Sequence, residues 1–199
     1  MNPTTSRPLI AAMQVSIDGY ALGPDAESVD SWADALELLP PVDTFVLGGG
    51  MFTGYELFWA AILDDPDAAS AMLGRHPYPR EIAYAQVAAA TPHLVLSSSL
   101  EEATWPTARI VRDVGEIAAL KQRPGDAVYV VGGPTLIAGL ITAGLLDELR
   151  LIVHPVATGG GMSAFGGIVR DQAFELVAAE PAASGRVHLT YRLGASSAP

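Results

Sequence analysis

The sequence has no cysteine among its 199 residues. Disulfide scaffolds, thiol nucleophiles and thiolate-held metals are therefore excluded. It has one lysine, Lys121, and residues 8–74 contain neither lysine nor arginine. That same stretch holds 11 acids, a charge equal to the net −11 of the whole chain. With 11 basic against 22 acidic residues, no extended basic surface can form, which argues against nucleic acid as a partner. An anionic ligand touching the first third must be held by backbone N–H groups or by cations from later in the chain. No apolar run approaches the roughly 18 residues of a membrane span. The longest, Thr135 to Leu146, is interrupted by Gly139. Leu9 to Val15 behind a single arginine is too short for a signal peptide. No membrane partner is expected, and the cytoplasm is the expected compartment.

Half of the residues are hydrophobic, and the mean hydropathy is +0.31. That composition supports one domain over residues 1–199, with a core of about 8–193 and a small polar tail, 194–199, that frays. Short β-rich runs stand at Leu9–Ser16, Asp43–Leu47, His93–Leu96, Arg109–Val111, Ala127–Val131, Glu148–Pro155, Phe174–Ala178 and Arg186–Leu193. The middle ones are continuously apolar, as strands covered on both faces are. Helical spacing predicts helices over Asp30–Leu39, Tyr55–Leu63, Pro79–Ala90, Val114–Lys121 and Thr135–Ala143, the last with Pro134 before it and Gly144 after it. Alternating strands and helices predict an α/β protein with a mainly parallel sheet. The last two runs, joined by Glu180 to Gly185, read as a hairpin that adds an antiparallel strand at the C-terminal edge.

Ligands of open α/β sheets bind at the carboxyl ends of the strands. At those ends stand Gly48-Gly49-Gly50, Ser97-Ser98-Ser99, Gly132-Gly133-Pro134-Thr135 and Thr158-Gly159-Gly160-Gly161. Glycines admit close approach of a phosphate, and a helix N-terminus supplies free N–H groups. The same glycines also serve as tight βα turns. Neither G-x-G-x-x-G nor a lysine-bearing phosphate loop is present. His76, His93, His154 and His188 have no metal-ligand spacing, so no metal is expected. His154 reads as a strand-end or interface residue. Trp32, Phe58 and Trp59 read either as core or as the lining of a flat-ring pocket.

Several segments follow one another in a recognisable order. They are Ser16-Ile17-Asp18-Gly19-Tyr20, Ser28 to Trp32, Asp43 to Gly48, Tyr55-Glu56 with Phe58-Trp59, and Leu96 to Leu100. Val130 to Leu136, Gly144 to Leu151 and His154-Pro155-Val156 complete the set, with Gly159 to Gly161 and Phe165 beyond. Together they span about residues 9–193 and resemble the bacterial dihydrofolate-reductase-like family, of the riboflavin-biosynthesis pyrimidine reductase C-terminal domain type. The resemblance implies a three-layer α/β/α fold and an oxidoreductase using NADPH, with NADH as the other candidate, on a small heterocyclic or carbonyl substrate. It implies Ala12 and Ile17 near the nicotinamide, and Gly48, Gly49, Gly50, Ser97 and Ser98 near the adenosine phosphates. Gly132, Gly133, Thr135 and Leu136 would wrap the pyrophosphate, with a cis peptide between Gly132 and Gly133. A homodimer through the late strands around His154 is the assembly to expect by analogy.

The chain departs from the family at one telling place. Where the family reads Gly-Arg-x-Thr, this sequence has Gly48, Gly49, Gly50 and Met51. The arginine that would pair with the 2′-phosphate is missing. Three readings follow: the phosphate is held by Ser97–Ser99 with Arg109 or Arg112; the cofactor is NADH; or the site has been repurposed into a non-catalytic ligand-binding protein, with Met51 filling the adenosine pocket. Candidate acids for proton supply are Asp30 and Glu37, seven residues apart on one helix side. Asp30 reads more readily as the helix N-cap than as a catalytic acid. Glu37 loosely matches the pterin-binding acid in position.

Overall fold

The computed structural model describes residues 6–22, 36, 38–69, 74–183 and 185–194. Strand β1 (Leu9–Ser16) runs through the middle of the sheet. Leu9, Ala11, Met13 and Val15 enter one buried cluster, and Ile10 enters the cluster on the opposite face. A strand sealed on both sides needs apolar residues at odd and even positions alike, which explains its unalternating sequence. It pairs in parallel with β5 (Ala127–Val131) on one side and β6 (Glu148–His154) on the other. The remaining strands are β2 (Val42–Gly48), β3 (His93–Leu96), β4 (Ala108–Val111), β7 (Phe174–Pro181) and β8 (Val187–Leu193). The order is β4-β3-β2-β5-β1-β6-β8-β7. The antiparallel pair lies at the C-terminal edge as expected: β8 runs against β6, and β7 closes the edge against β8.

Helices α1 (Gly49–Asp64) and α2 (Pro79–Ala90) cover one face, and α3 (Val114–Lys121) and α4 (Pro134–Thr142) cover the other. This makes three layers. Helix α2 starts where Pro79 fits a first turn, and Glu81 closes its end. Glu81 accepts the Tyr78 N–H at 2.7 Å and takes the Arg75 guanidinium in a two-pronged bond at 2.8 and 2.9 Å. Helix α1 begins six positions before Tyr55, where the sequence pattern starts it. Gly49 and Gly50 are weak helix formers, but Phe52, Tyr55, Trp59 and Ile62 pack into the core and pull the first turn with them. Trp59 is thereby core. The predicted helix Asp30–Leu39 lies outside the described residues except at Leu36, Leu38 and Leu39.

Two buried cations tie the amino ends of the strands. Lys121 Nζ donates to Asp147 Oδ2 at 2.6 Å, and the same oxygen accepts the Leu9 N–H at 2.6 Å. Arg7 pairs with Asp43 and donates Nε–H to the Asp126 carbonyl at 2.7 Å. The starts of β1, β2, β5 and β6 are thus pinned to one another.

His93 is fully buried between Phe45, Tyr55 and Trp105, whose ring centres lie 5.2, 5.7 and 5.2 Å away. Neither ring nitrogen has a hydrogen-bond partner among the described residues. Burial pushes the imidazole down to about 4. The unfolded chain takes up that proton near pH 6.5, so stability is complete above this pH and falls as the pH drops from 6.5 toward 4. Urea unfolding at pH 5 should show about 2 kcal/mol less stability than at pH 7.5 from this group. In His93→Leu that difference should shrink by the same amount.

Candidate functional site

Six parallel strands send their carboxyl ends to one edge, and the loops and helix starts there enclose a cavity of about 710 Å³. Gly48 ends β2 and caps α1 directly, so the N–H groups of the first turn have no partner within the helix. Ser97 follows β3, and its Oγ accepts the N–H of Leu100 at 3.0 Å and of Ser99 at 3.3 Å. Gly133 caps α4, with Pro134 in the first turn. Gly48, Gly49, Gly50, Ser97, Ser98, Thr135 and Leu136 all line this cavity.

Position 49 has no room for a side chain. A Cβ built there would lie 2.5 Å from Ser97 Cβ, well inside contact distance. The absence of arginine at 49 and the presence of Ser97 are thus one steric fact. Arg112 supplies a cation instead. It follows β4, lines the cavity and donates Nη1–H to the Ser97 carbonyl at 2.7 Å. Arg109 is turned away and bonded to Glu116 at 2.7 Å. Of the two arginines read as candidates, only Arg112 reaches the cavity.

Gly132 and Gly133 sit beside the cavity and do not line it. Gly132 has φ +113°, and the Met51 thioether lies against it: a Cβ on Gly132 would meet Met51 Cε at 2.8 Å. The peptide expected to be cis, between Gly132 and Gly133, is trans. With no Cβ at either residue, the chain turns into α4 through the positive φ of Gly132 alone.

Ala12 and Ile17 mark the other end of the edge. Ala12 is half-buried opposite Val131 of β5 and Arg150 of β6. Ile17 is 65% exposed, and its N–H is held by the Val156 carbonyl at 2.9 Å. Asp18 ties this loop to the loop after β6, accepting the N–H of Gly159 at 2.7 Å and of Thr158 at 3.1 Å. The Ser16 hydroxyl first, then these two N–H groups, hold its carboxyl at about 2. Two backbone bonds complete the tie, Ala21 N–H to Met162 O at 2.8 Å and Ala164 N–H to Gly19 O at 2.9 Å. Beneath the tie, buried His154 bonds through Nε2 to Gln14 Oε1 at 2.6 Å. Sequence reading missed Gln14, although a lone amide inside an apolar run is a visible signal. Asp30 and Glu37, the candidate acids, lie outside the described residues. Among the described residues no group of side chains could hold a metal ion. None of the helices described is long and apolar enough to cross a membrane.

The sheet order, the layers and the cleft at the strand ends define a dihydrofolate-reductase-like α/β protein. The chain belongs to the RibD C-terminal domain family, whose model matches residues 7–187. A curated relative, the uncharacterized protein YyaP of Bacillus subtilis, is 36% identical over 76 residues, 38% of this chain and 40% of that protein. The chain thus matches less than half the length of that relative. Among solved structures, a putative riboflavin biosynthesis protein from Shewanella sp. PV-4 is similar with a TM-score of 0.62 at 20% identity, over 94% of this chain and 99% of that one. Dihydrofolate reductase from Enterococcus faecalis, complexed with NADP(H) and RAB-propyl, is similar with a TM-score of 0.63 at 17% identity, over 94% and 97%.

Gly49→Ala should lower stability by about 1–3 kcal/mol through overpacking. Adding Ser97→Gly should recover most of that loss, a non-additivity that thermal unfolding of the double variant measures. In Asp18→Ala, the amides of Thr158 and Gly159 should exchange hydrogen much faster than in the parent, as read by NMR.

Proposed function

We propose that the protein is a reductase that uses NADPH in preference to NADH on a small heterocyclic or carbonyl substrate. The observation that carries this reading is the open cavity at the strand ends, with its glycine N–H groups, two serine hydroxyls and one arginine. The family and the NADP(H)-bound reductase of the same fold support it. The residues fit such a cofactor in a particular way. Gly48 to Gly50, Ser97, Ser98, Thr135 and Leu136 would hold the adenosine phosphates by N–H and O–H donors. Arg112 would supply the charge at the 2′-phosphate that position 49 cannot. Ala12 and Ile17 would border the nicotinamide, which when bound supplies a hydride. The tie made by Asp18 would hold Ile17 over that end and keep water from it.

The competing reading, a non-catalytic binding protein on the same fold, expects Met51 to fill the adenosine pocket. Met51 turns instead to Gly132 and leaves the cavity open. Pyrophosphate contact at Gly132 would then require the flexible thioether to shift, which methionine does readily.

Thermal-shift titration separates the readings, because a ligand that binds the folded state stabilises it by mass action. NADPH should raise the melting temperature more than NADH, and flavins should leave it unchanged. No shift with either nicotinamide cofactor at high-micromolar concentration sinks the proposal. Arg112→Ala should weaken NADPH binding roughly tenfold, about 1.4 kcal/mol, and leave NADH binding unchanged.

A further inference from the structure

Between the loop after β6 and the start of β7, residues 164–173 form neither strand nor helix. Ala164, Phe165 and Ile168 of this segment join the buried cluster on the face of α3 and α4. The segment is pressed onto α4 at Gly167, where an added Cβ would lie 2.9 Å from Ala138 Cβ. It rejoins the sheet at Phe174, the first residue of β7. Between these two points Val169, Arg170 and Asp171 are exposed, and they border a cavity of about 600 Å³. Leu149 and Leu151 of β6 form its floor, and the rings of Phe165, Phe174 and Tyr191 line it. A volume of this size holds a small organic molecule. No lining residue is shared with the cleft at the strand ends. Helix α4 stands between the two, with Leu136 and Gly139 at the cleft and Ala138 against Gly167.

Three consecutive residues define the occupant. Arg170, Asp171 and Gln172 line this cavity and also an adjoining, larger one, so they stand at the boundary of the two. The side chains of Arg170 and Asp171 make no ion pair or hydrogen bond with any described residue. The Gln172 amide spends its N–H groups on the carbonyls of Ala173 and Gly194, at 3.1 and 3.4 Å. Its oxygen is left as an acceptor. A guanidinium takes a carboxylate in a two-pronged bond, and a carboxylate with an amide oxygen takes an ammonium. Each charge is offset by its neighbour, so neither a simple anion nor a simple cation is favoured. A zwitterion satisfies both. Beside this head stand Phe174 and Tyr191, with ring centres 6.0 Å apart and planes at 70°. Such edge-to-face walls favour another flat ring beyond the gain from burial alone.

We infer that this cavity is a second ligand site, which takes a free aromatic α-amino acid. The ring lies among Phe165, Phe174 and Tyr191, the carboxylate on Arg170, and the ammonium on Asp171 with the Gln172 oxygen. No residue of the cofactor cleft is involved, so the inference stands apart from the reductase reading.

Titration of the ¹⁵N-labelled protein with L-phenylalanine, followed by NMR, tests it. The backbone amides of Leu151, Val169, Phe174 and Tyr191 should shift saturably, with a Kd on the order of 1 mM or tighter. Those of Gly49 and Ser98 should not move. Phenylacetate lacks the ammonium, phenethylamine the carboxylate and L-leucine the ring, and each should bind more weakly by roughly tenfold or more. Arg170→Ala should weaken phenylalanine binding roughly tenfold without weakening phenethylamine, and Asp171→Ala should do the same without weakening phenylacetate. Both positions are exposed, so the fold tolerates either change, and the unmoved remainder of the spectrum verifies it. Absence of a saturable shift at these amides, equal binding of L-leucine, or full binding in Arg170→Ala overturns the assignment. Movement of the same amides on raising the protein concentration alone also overturns it, because a second copy then covers the cavity.

Discussion

The burial of β1 on both faces, between two parallel neighbours, is the constraint from which the rest follows. A strand packed on both faces and paired on either side can meet a ligand only toward its carboxyl end, where Ala12 and Gln14 are half-buried. Its amino end must be held by groups that do not compete with the core, and buried charge is tolerated there only when paired. Lys121 with Asp147 and Arg7 with Asp43 meet that condition. Both cations anchor the edge away from the cleft, and the carboxyl edge carries other charges, Arg112 and Asp113 in the cavity and Asp18 on the rim.

At that carboxyl edge, steric fit decides which residues are allowed. Helix α1 starts immediately after β2, and its first turn lies so close to Ser97 that residue 49 must be glycine. The absence of basic residues from 8–74 then has a local cause at one position: no arginine fits. Charge enters the cleft from a different part of the sheet, through Arg112 after β4. The cleft is thus assembled from a first third that brings backbone donors and a later segment that brings the cation.

What the sequence disclosed follows the same physics. The continuous apolar runs at His93–Leu96 and Ala127–Val131 were legible because strands covered on both faces have little choice of residue. Helices α2 and α3 were legible from helical spacing, with Pro79 agreeing at the start of α2. The start of α1 was not, because propensity argues against Gly49 and Gly50 and only packing of Phe52 and Tyr55 overrides it. The strand-end glycines and serines pointed to the edge of the sheet at which a cavity lies. Their division did not show: Gly132 and Gly133 stand apart from the cavity, and Gly132 is met instead by Met51, a contact made by residues 81 positions distant in the sequence. The pairing of Gln14 with His154 was hidden likewise, since 140 positions separate them and only the register of β1 on β6 brings them level.

The carboxyl of Asp18 joins two loops that the chain order keeps far apart. With their backbones bonded to each other as well, the loop after β1 and the loop after β6 form one continuous rim. On the proposed reading, a ligand at the Ala12 end would meet one joined rim and not two independent loops. Acid reaches the core before it reaches this rim, because His93 is called on to accept a proton well above the pH at which Asp18 takes one up. Loss of stability in mildly acidic solution would therefore report a loosening interior beneath a rim whose tie still holds.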